Sequence, residues 1–129
     1  MKNLVLDSGV VTTLARNRTH SRVIRGLKGS EFAWSAAVPS LVLVECLSGQ
    51  PHTDAVVNLF LKNCEVLDGP HQRLARRASV IRARAGRGSA VDAVIVAMAE
   101  PGGAVLTHDV KDLTALAAHA QDVSVFGMN

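Results

Sequence analysis

Five short apolar runs separated by helical stretches restrict this chain more than any other feature. They are Asn3–Asp7, Glu31–Ser35, Cys64–Leu67, Ala104–His108 and Val123–Phe126. The runs are apolar on both faces, which is how strands read when helices cover both sides of a parallel sheet. Between them, helices are predicted over Ser8 to about Arg18, Ser21–Lys28, Pro39–Leu47 and residues 53–63. Others are predicted after the Asp68-Gly-Pro70 turn to about Arg84, then over Ala90–Ala99 and residues 110–119. Gly49 and Pro51, Gly86-Arg-Gly-Ser89 and Pro101-Gly-Gly103 punctuate this series. The expected architecture is one three-layer α/β/α domain over residues 1–129, with a central, mostly parallel sheet. In such open sheets, sites form at the carboxyl ends of the strands.

A chain of 129 residues that is 48% hydrophobic can bury a core and is too apolar for disorder. The longest run without a charge, Phe32 to Val44, contains Pro39 and two serines and falls short of a membrane span. Asp7 interrupts the first apolar stretch, so no signal peptide is expected. Cys46 and Cys64 lie in apolar segments without metal spacing, and read as reduced, buried thiols of a cytoplasmic protein.

Charge is unevenly distributed. Arg16, Arg18, Arg22, Arg25 and Lys28 form one acid-free block, and residues 69–91 hold six arginines with no acid. The carboxylates Asp7, Glu45, Asp92, Asp109 and Asp112 sit instead in or beside apolar runs. Each has an ordinary explanation except one. Asp7 and Asp109 suit helix caps, and Ser89-Ala-Val-Asp92 has the form of a capping box. Glu45 lies inside Leu41-Val-Leu-Val-Glu-Cys-Leu47, where burial of a lone carboxylate is expected to require a cation or a polar site. Taken together, acids at the mouths of one small sheet point to a site. Clustered carboxylates repel one another unless a metal neutralises them, and oxygen ligands without His or Cys favour Mg²⁺ or Mn²⁺. Such ions promote in-line displacement at phosphorus.

Val5-Leu-Asp7-Ser8, Leu43-Val-Glu45-Cys-Leu, Val91-Asp92-Ala-Val-Ile-Val-Ala97 and Leu106-Thr-His-Asp109 resemble, in order and approximate spacing, the acidic motifs of the PIN-domain nucleases. The length of the chain is similar to that of the VapC toxin branch of the family. The resemblance spans essentially the whole chain. It implies a central parallel sheet, Mg²⁺-dependent endoribonuclease activity, homodimerisation and inhibition by a cognate VapB-like antitoxin. It also implies that Asp7, Glu45, Asp92 and Asp109 form the metal site and carry catalysis. Asp112 offers a further metal ligand within the fourth motif. Ser8 matches the hydroxyl residue often found after the first acid, and His108 receives no catalytic role.

At 100° per residue, Arg73, Arg76, Arg77, Arg84 and Arg87 share one face if their helix continues that far. They are candidate RNA contacts leading toward Asp92, against the plainer reading of a solvated outer face. With one Trp, three Phe and no Tyr, a base-stacking platform is not expected. No phosphate-binding glycine loop or histidine ligand spacing is present in the sequence. An aspartyl phosphotransferase would need a second acid two residues after Asp7, where Gly9 stands. The alternative to a nuclease is a non-catalytic PIN-like module that binds RNA or protein through its arginine faces.

Overall fold

The computed structural model describes residues 2–17 and 34–128. The described elements run β1 (Lys2–Leu6), α1 (Ser8–Arg16), β2 (Trp34–Pro39), α2 (Ser40–Cys46), α3 (Pro51–Leu61), β3 (Glu65–Leu67), α4 (Gln72–Ala85), α5 (Ala90–Ala99), β4 (Ala104–Thr107), α6 (Val110–Ala117) and β5 (Ser124–Gly127). The five strands form one sheet in the order β3-β2-β1-β4-β5, and every pairing is parallel. The predicted helix over Ser21–Lys28 and the start of the predicted strand at Glu31 lie outside the described residues.

Central position explains the composition of β1. Leu4, Val5 and Leu6 are all buried, because α1 and α5 pack against the sheet on either side of them. The helix α1 contacts both α2 and α3, and α4, α5 and α6 form a second, mutually packed set. The result is the expected α/β/α arrangement with an aliphatic and alanine-rich core.

Two boundaries depart from the sequence reading for identifiable reasons. The second strand continues to Pro39, beyond the predicted end at Ser35, because Ala36 and Ala37 pair with β1 while Val38 pairs with Val66 of β3. Alanine favours strands little, so only the sheet partners reveal this extension. α3 starts at Pro51 rather than at residue 53. Proline at the first helical position loses no intrahelical hydrogen bond, so Pro51 opens this helix as well as ending the preceding segment. The buried Asp54 then closes the turn between α2 and α3. Its carboxylate accepts from Ser48 N and Oγ and from Gly49 N, at 2.8–3.1 Å. The Ser48 and Gly49 donors hold its pKa below the usual carboxylate value, with desolvation opposing them. α4 ends at Ala85 with Gly86 as its left-handed cap, in line with the expected end at about Arg84, so the helix does not continue as far as Arg87.

Cys46 and Cys64 are half-buried rather than buried, and burial raises the pKa of Cys46. No helix among the described residues is long and apolar enough to cross a membrane.

Candidate metal centre

Strand order places the site. The chain moves from β1 to β2 and β3 on one side, then returns to β4 and β5 on the other. The order therefore reverses between β1 and β4, which opens a crevice beyond their carboxyl ends. Asp7 directly follows β1, and His108-Asp109 directly follow β4. α5 leads into β4, which brings its first turn, with Asp92, to the same edge.

Asp92, Asp109 and Asp112 come together there. One carboxylate oxygen from each lies within 4.8 Å of the others. Asp92 belongs to the first turn of α5, whereas Asp109 caps α6 and Asp112 lies in its first turn. Two helix N-termini thus face one point, and their dipoles favour the negative charge collected there. The capping explanations of these residues are also correct. Ser89 and Asp92 form the complete reciprocal box, and Asp109 Oδ1 accepts from Asp112 N at 3.3 Å.

A cap occupies only one oxygen of a carboxylate. Asp92 uses Oδ2 for its cap, Asp109 uses Oδ1, and Asp112 uses Oδ1 for Arg87. The second oxygen of each has no donor among the described residues. That donor set, all oxygen and all anionic, suits Mg²⁺ or Mn²⁺. The pKa of Asp92 is raised, first by burial and then by the charges of Asp109 and Asp112, while its bonds from Ser89 act the other way. A divalent cation would relieve both causes of the rise.

Asp7 is linked to this group rather than contained in it. Both of its oxygens are engaged: Oδ1 caps α1 by accepting from Val10 N at 3.0 Å, and Oδ2 accepts from the Thr107 hydroxyl. Thr107 Oγ1 in turn accepts from Asp109 N at 2.9 Å. Thr107 is fully buried and joins the first and fourth acidic motifs with one hydroxyl. Sequence reading passed over it, although an acceptor hydroxyl two residues before a helix cap is a recognisable turn signal.

Glu45 corrects an expectation. It is exposed on α2, as is Val44 beside it at 77%, so no burial penalty demands a cation for it. A seven-residue helix resting mainly on Val42 leaves its opposite side open despite an apolar sequence. Glu45 lies outside the three-acid group, although its helix starts at the carboxyl end of β2, the neighbour of β1. His108 is tied down structurally. Its Nδ1 meets Met128 O at 2.7 Å and its Nε2 meets Thr13 Oγ1 at 3.1 Å.

The five candidate RNA-contacting arginines divide into two groups. Arg73, Arg76 and Arg84 are exposed and have no ion pair among the described residues. Arg77 is committed to structure. Its Nε and Nη2 bind both oxygens of Glu100 at 2.9 and 2.7 Å, and Nη2 also reaches His119 O. That pairing raises the Arg77 pKa and lowers that of Glu100. Arg87 pairs with Asp112 at 2.7 Å. The predicted continuous face is therefore interrupted at two of its five positions.

A PIN domain model matches residues 4–118 of the chain. The structure of VapBC2 from Rickettsia felis, bound to a DNA fragment from their promoter, aligns with a TM-score of 0.72 at 15% identity, covering 98% of this chain and 99% of that one. PAE2754 from Pyrobaculum aerophilum aligns with a TM-score of 0.59 at 17% identity, covering 96% of this chain and 83% of that one. At these identities the two structures speak for the fold alone. No curated protein matches the sequence. The family match covers nearly the whole chain and includes every acid of the candidate centre, and the chain belongs to the PIN domain family.

Proposed function

We propose that this protein is a divalent-metal-dependent endoribonuclease and the toxin member of a type II toxin–antitoxin pair. The observation that carries the nuclease reading is the meeting of Asp92, Asp109 and Asp112, each with a carboxylate oxygen that has no donor among the described residues, at the point where strand order reverses. These three residues would hold Mg²⁺ or Mn²⁺. When bound, the ion supplies activation of water and stabilisation of the leaving oxygen of a phosphodiester. Asp7, held through Thr107, and Glu45, at the neighbouring strand end, complete the acidic set and orient the attacking water. The VapB-like antitoxin partner rests on the likeness to VapBC2, and the homodimer on the family resemblance.

The direct test is cleavage of RNA by the purified chain with Mg²⁺ or Mn²⁺, and again with EDTA. Cleavage is expected with either ion and none in EDTA. Undiminished cleavage in EDTA would end the metal reading, whereas metal-insensitive RNA binding without cleavage would favour the non-catalytic module.

Exposed Arg73 and Arg76 are suited to guide the phosphate backbone toward α5. The double substitution Arg73→Glu and Arg76→Glu is expected to weaken RNA binding without unfolding the chain. Removing one arginine–phosphate interaction should flatten the logarithmic salt dependence by about 0.7 for a single strand. A salt slope equal to that of the wild type would make this an ordinary solvated face.

A further inference from the structure

The turn between α4 and α5 holds Arg87 in a position no other described arginine shares. Gly86 and Gly88 flank it, both with left-handed φ, +67° and +90°. Gly88 packs so closely on α6 that a Cβ there would lie 2.7 Å from Leu116 Cδ1. Its carbonyl also accepts from Arg82 Nε at 3.1 Å. Backbone conformation and packing therefore fix the base of the Arg87 side chain, which crosses to α6 and donates from Nε to Asp112 Oδ1 at 2.7 Å. This is the one ion pair to the three-acid group among the described residues.

Only Nε is used. The two terminal nitrogens of the guanidinium have no partner among the described residues, and the side chain is 43% exposed. An arginine anchored by Nε with its outer nitrogens open presents the paired N–H donors that match two oxygens of a phosphate. Charge supports the same role. A divalent ion among three carboxylates leaves one negative charge, which would repel a phosphodiester, and Arg87 cancels it.

The geometry points to Arg87 as the residue that grips the non-bridging oxygens of the phosphodiester at the acid group, while its Nε remains on Asp112. This rests on the nuclease reading and names the group in that site that takes the substrate phosphate. Arg87 thereby separates from Arg73, Arg76 and Arg84, which touch no acid of the centre and serve only to attract the polyanion.

The test compares wild type, Arg87→Ala and Arg87→Lys in three measurements. These are Mn²⁺ affinity by calorimetry without RNA, binding of a short labelled single-stranded RNA in EDTA, and the cleavage rate of that RNA with saturating Mn²⁺. Melting curves establish that each variant is folded. Arg87→Ala is expected to bind Mn²⁺ as tightly as wild type or more tightly, since a neighbouring positive charge is gone. Its RNA affinity in EDTA should change little, while kcat falls on the order of 100-fold. Arg87→Lys keeps the charge without the fork and should recover only part of the rate. A Mn²⁺ affinity of Arg87→Ala that falls in step with kcat would reduce Arg87 to a support for Asp112 and overturn the inference. A rate equal to wild type would overturn it as well. Failure of wild type itself to bind Mn²⁺ or cleave is a separate result, which removes the nuclease reading and this inference with it.

Discussion

Asp92→Asn is expected to abolish RNA cleavage while leaving the metal-free protein at least as stable as wild type. Two effects set the sign. The Asp92 carboxylate is partly desolvated and faces Asp109 and Asp112, so its charged form is disfavoured in the folded state. Asparagine removes the charge and can still accept from Ser89 N, which preserves the cap. A raised folded pKa means that the folded chain binds more protons than the unfolded chain between the two pKa values. Stability therefore falls as pH rises through that window, and the penalty is fully present above the folded pKa. The advantage of Asp92→Asn over wild type in EDTA should be largest at neutral pH. It should shrink as pH falls toward the ordinary aspartate value of about 3.9. Excess Mg²⁺ should raise the wild-type melting temperature more than that of the variant, because a ligand stabilises only the form that binds it. Loss of a metal-holding carboxylate should exceed the roughly 10- to 100-fold typical of losing a group that merely supports a ligand. A variant that melts lower than wild type in EDTA, with both proteins indifferent to Mg²⁺, would return Asp92 to the role of a helix cap.

Part of this region is legible because two of its acids stand where strands end. Asp7 after Leu4-Val-Leu6 and Asp109 after Val105-Leu-Thr-His108 are placed by local pattern alone, and the parallel sheet follows from the same apolar runs. For Asp92 and Asp109 a capping role leaves room for a ligand role, because a carboxylate has two oxygens and each residue caps with one. What escaped local reading depends on pairs distant in sequence. The bond from the Thr107 hydroxyl to Asp7 has no local signal and follows only once β1 and β4 are known to be neighbours. Arg77 and Arg87 read as a free cationic face until Glu100 and Asp112 are placed beside them. Glu45 misled for the opposite reason: apolar neighbours in sequence suggested burial, whereas α2 buries little beyond Val42.

Thr107→Val is expected to lower both stability and activity, and Thr107→Ser to restore most of each. Valine has nearly the shape of threonine, so the core around this fully buried position should stay filled. What disappears is the hydroxyl that donates to Asp7 Oδ2 and accepts from Asp109 N. One of these bonds is to a carboxylate, and breaking the other leaves a partly buried N–H without its acceptor. Together they should cost about 2–4 kcal/mol. For a domain of this length that corresponds to a fall in Tm of roughly 8–16 °C. The effect on cleavage arises from placement. Asp7 would keep its bond from Val10 N, and Asp109 its bond from Asp112 N, but only the β1–β4 backbone pairing, and no side chain, would then hold the two acids relative to each other. A displacement of about 1 Å in a reacting group can reduce the rate on the order of 100-fold. Thr107→Ser retains the hydroxyl and removes one methyl, so it should cost only about 1 kcal/mol and recover most of the rate. Melting curves and cleavage rates for the three proteins separate the possibilities. Equal activity in Thr107→Val and wild type, measured well below both melting temperatures, would show that the Asp7–Thr107–Asp109 connection supports the fold without setting the geometry of the centre.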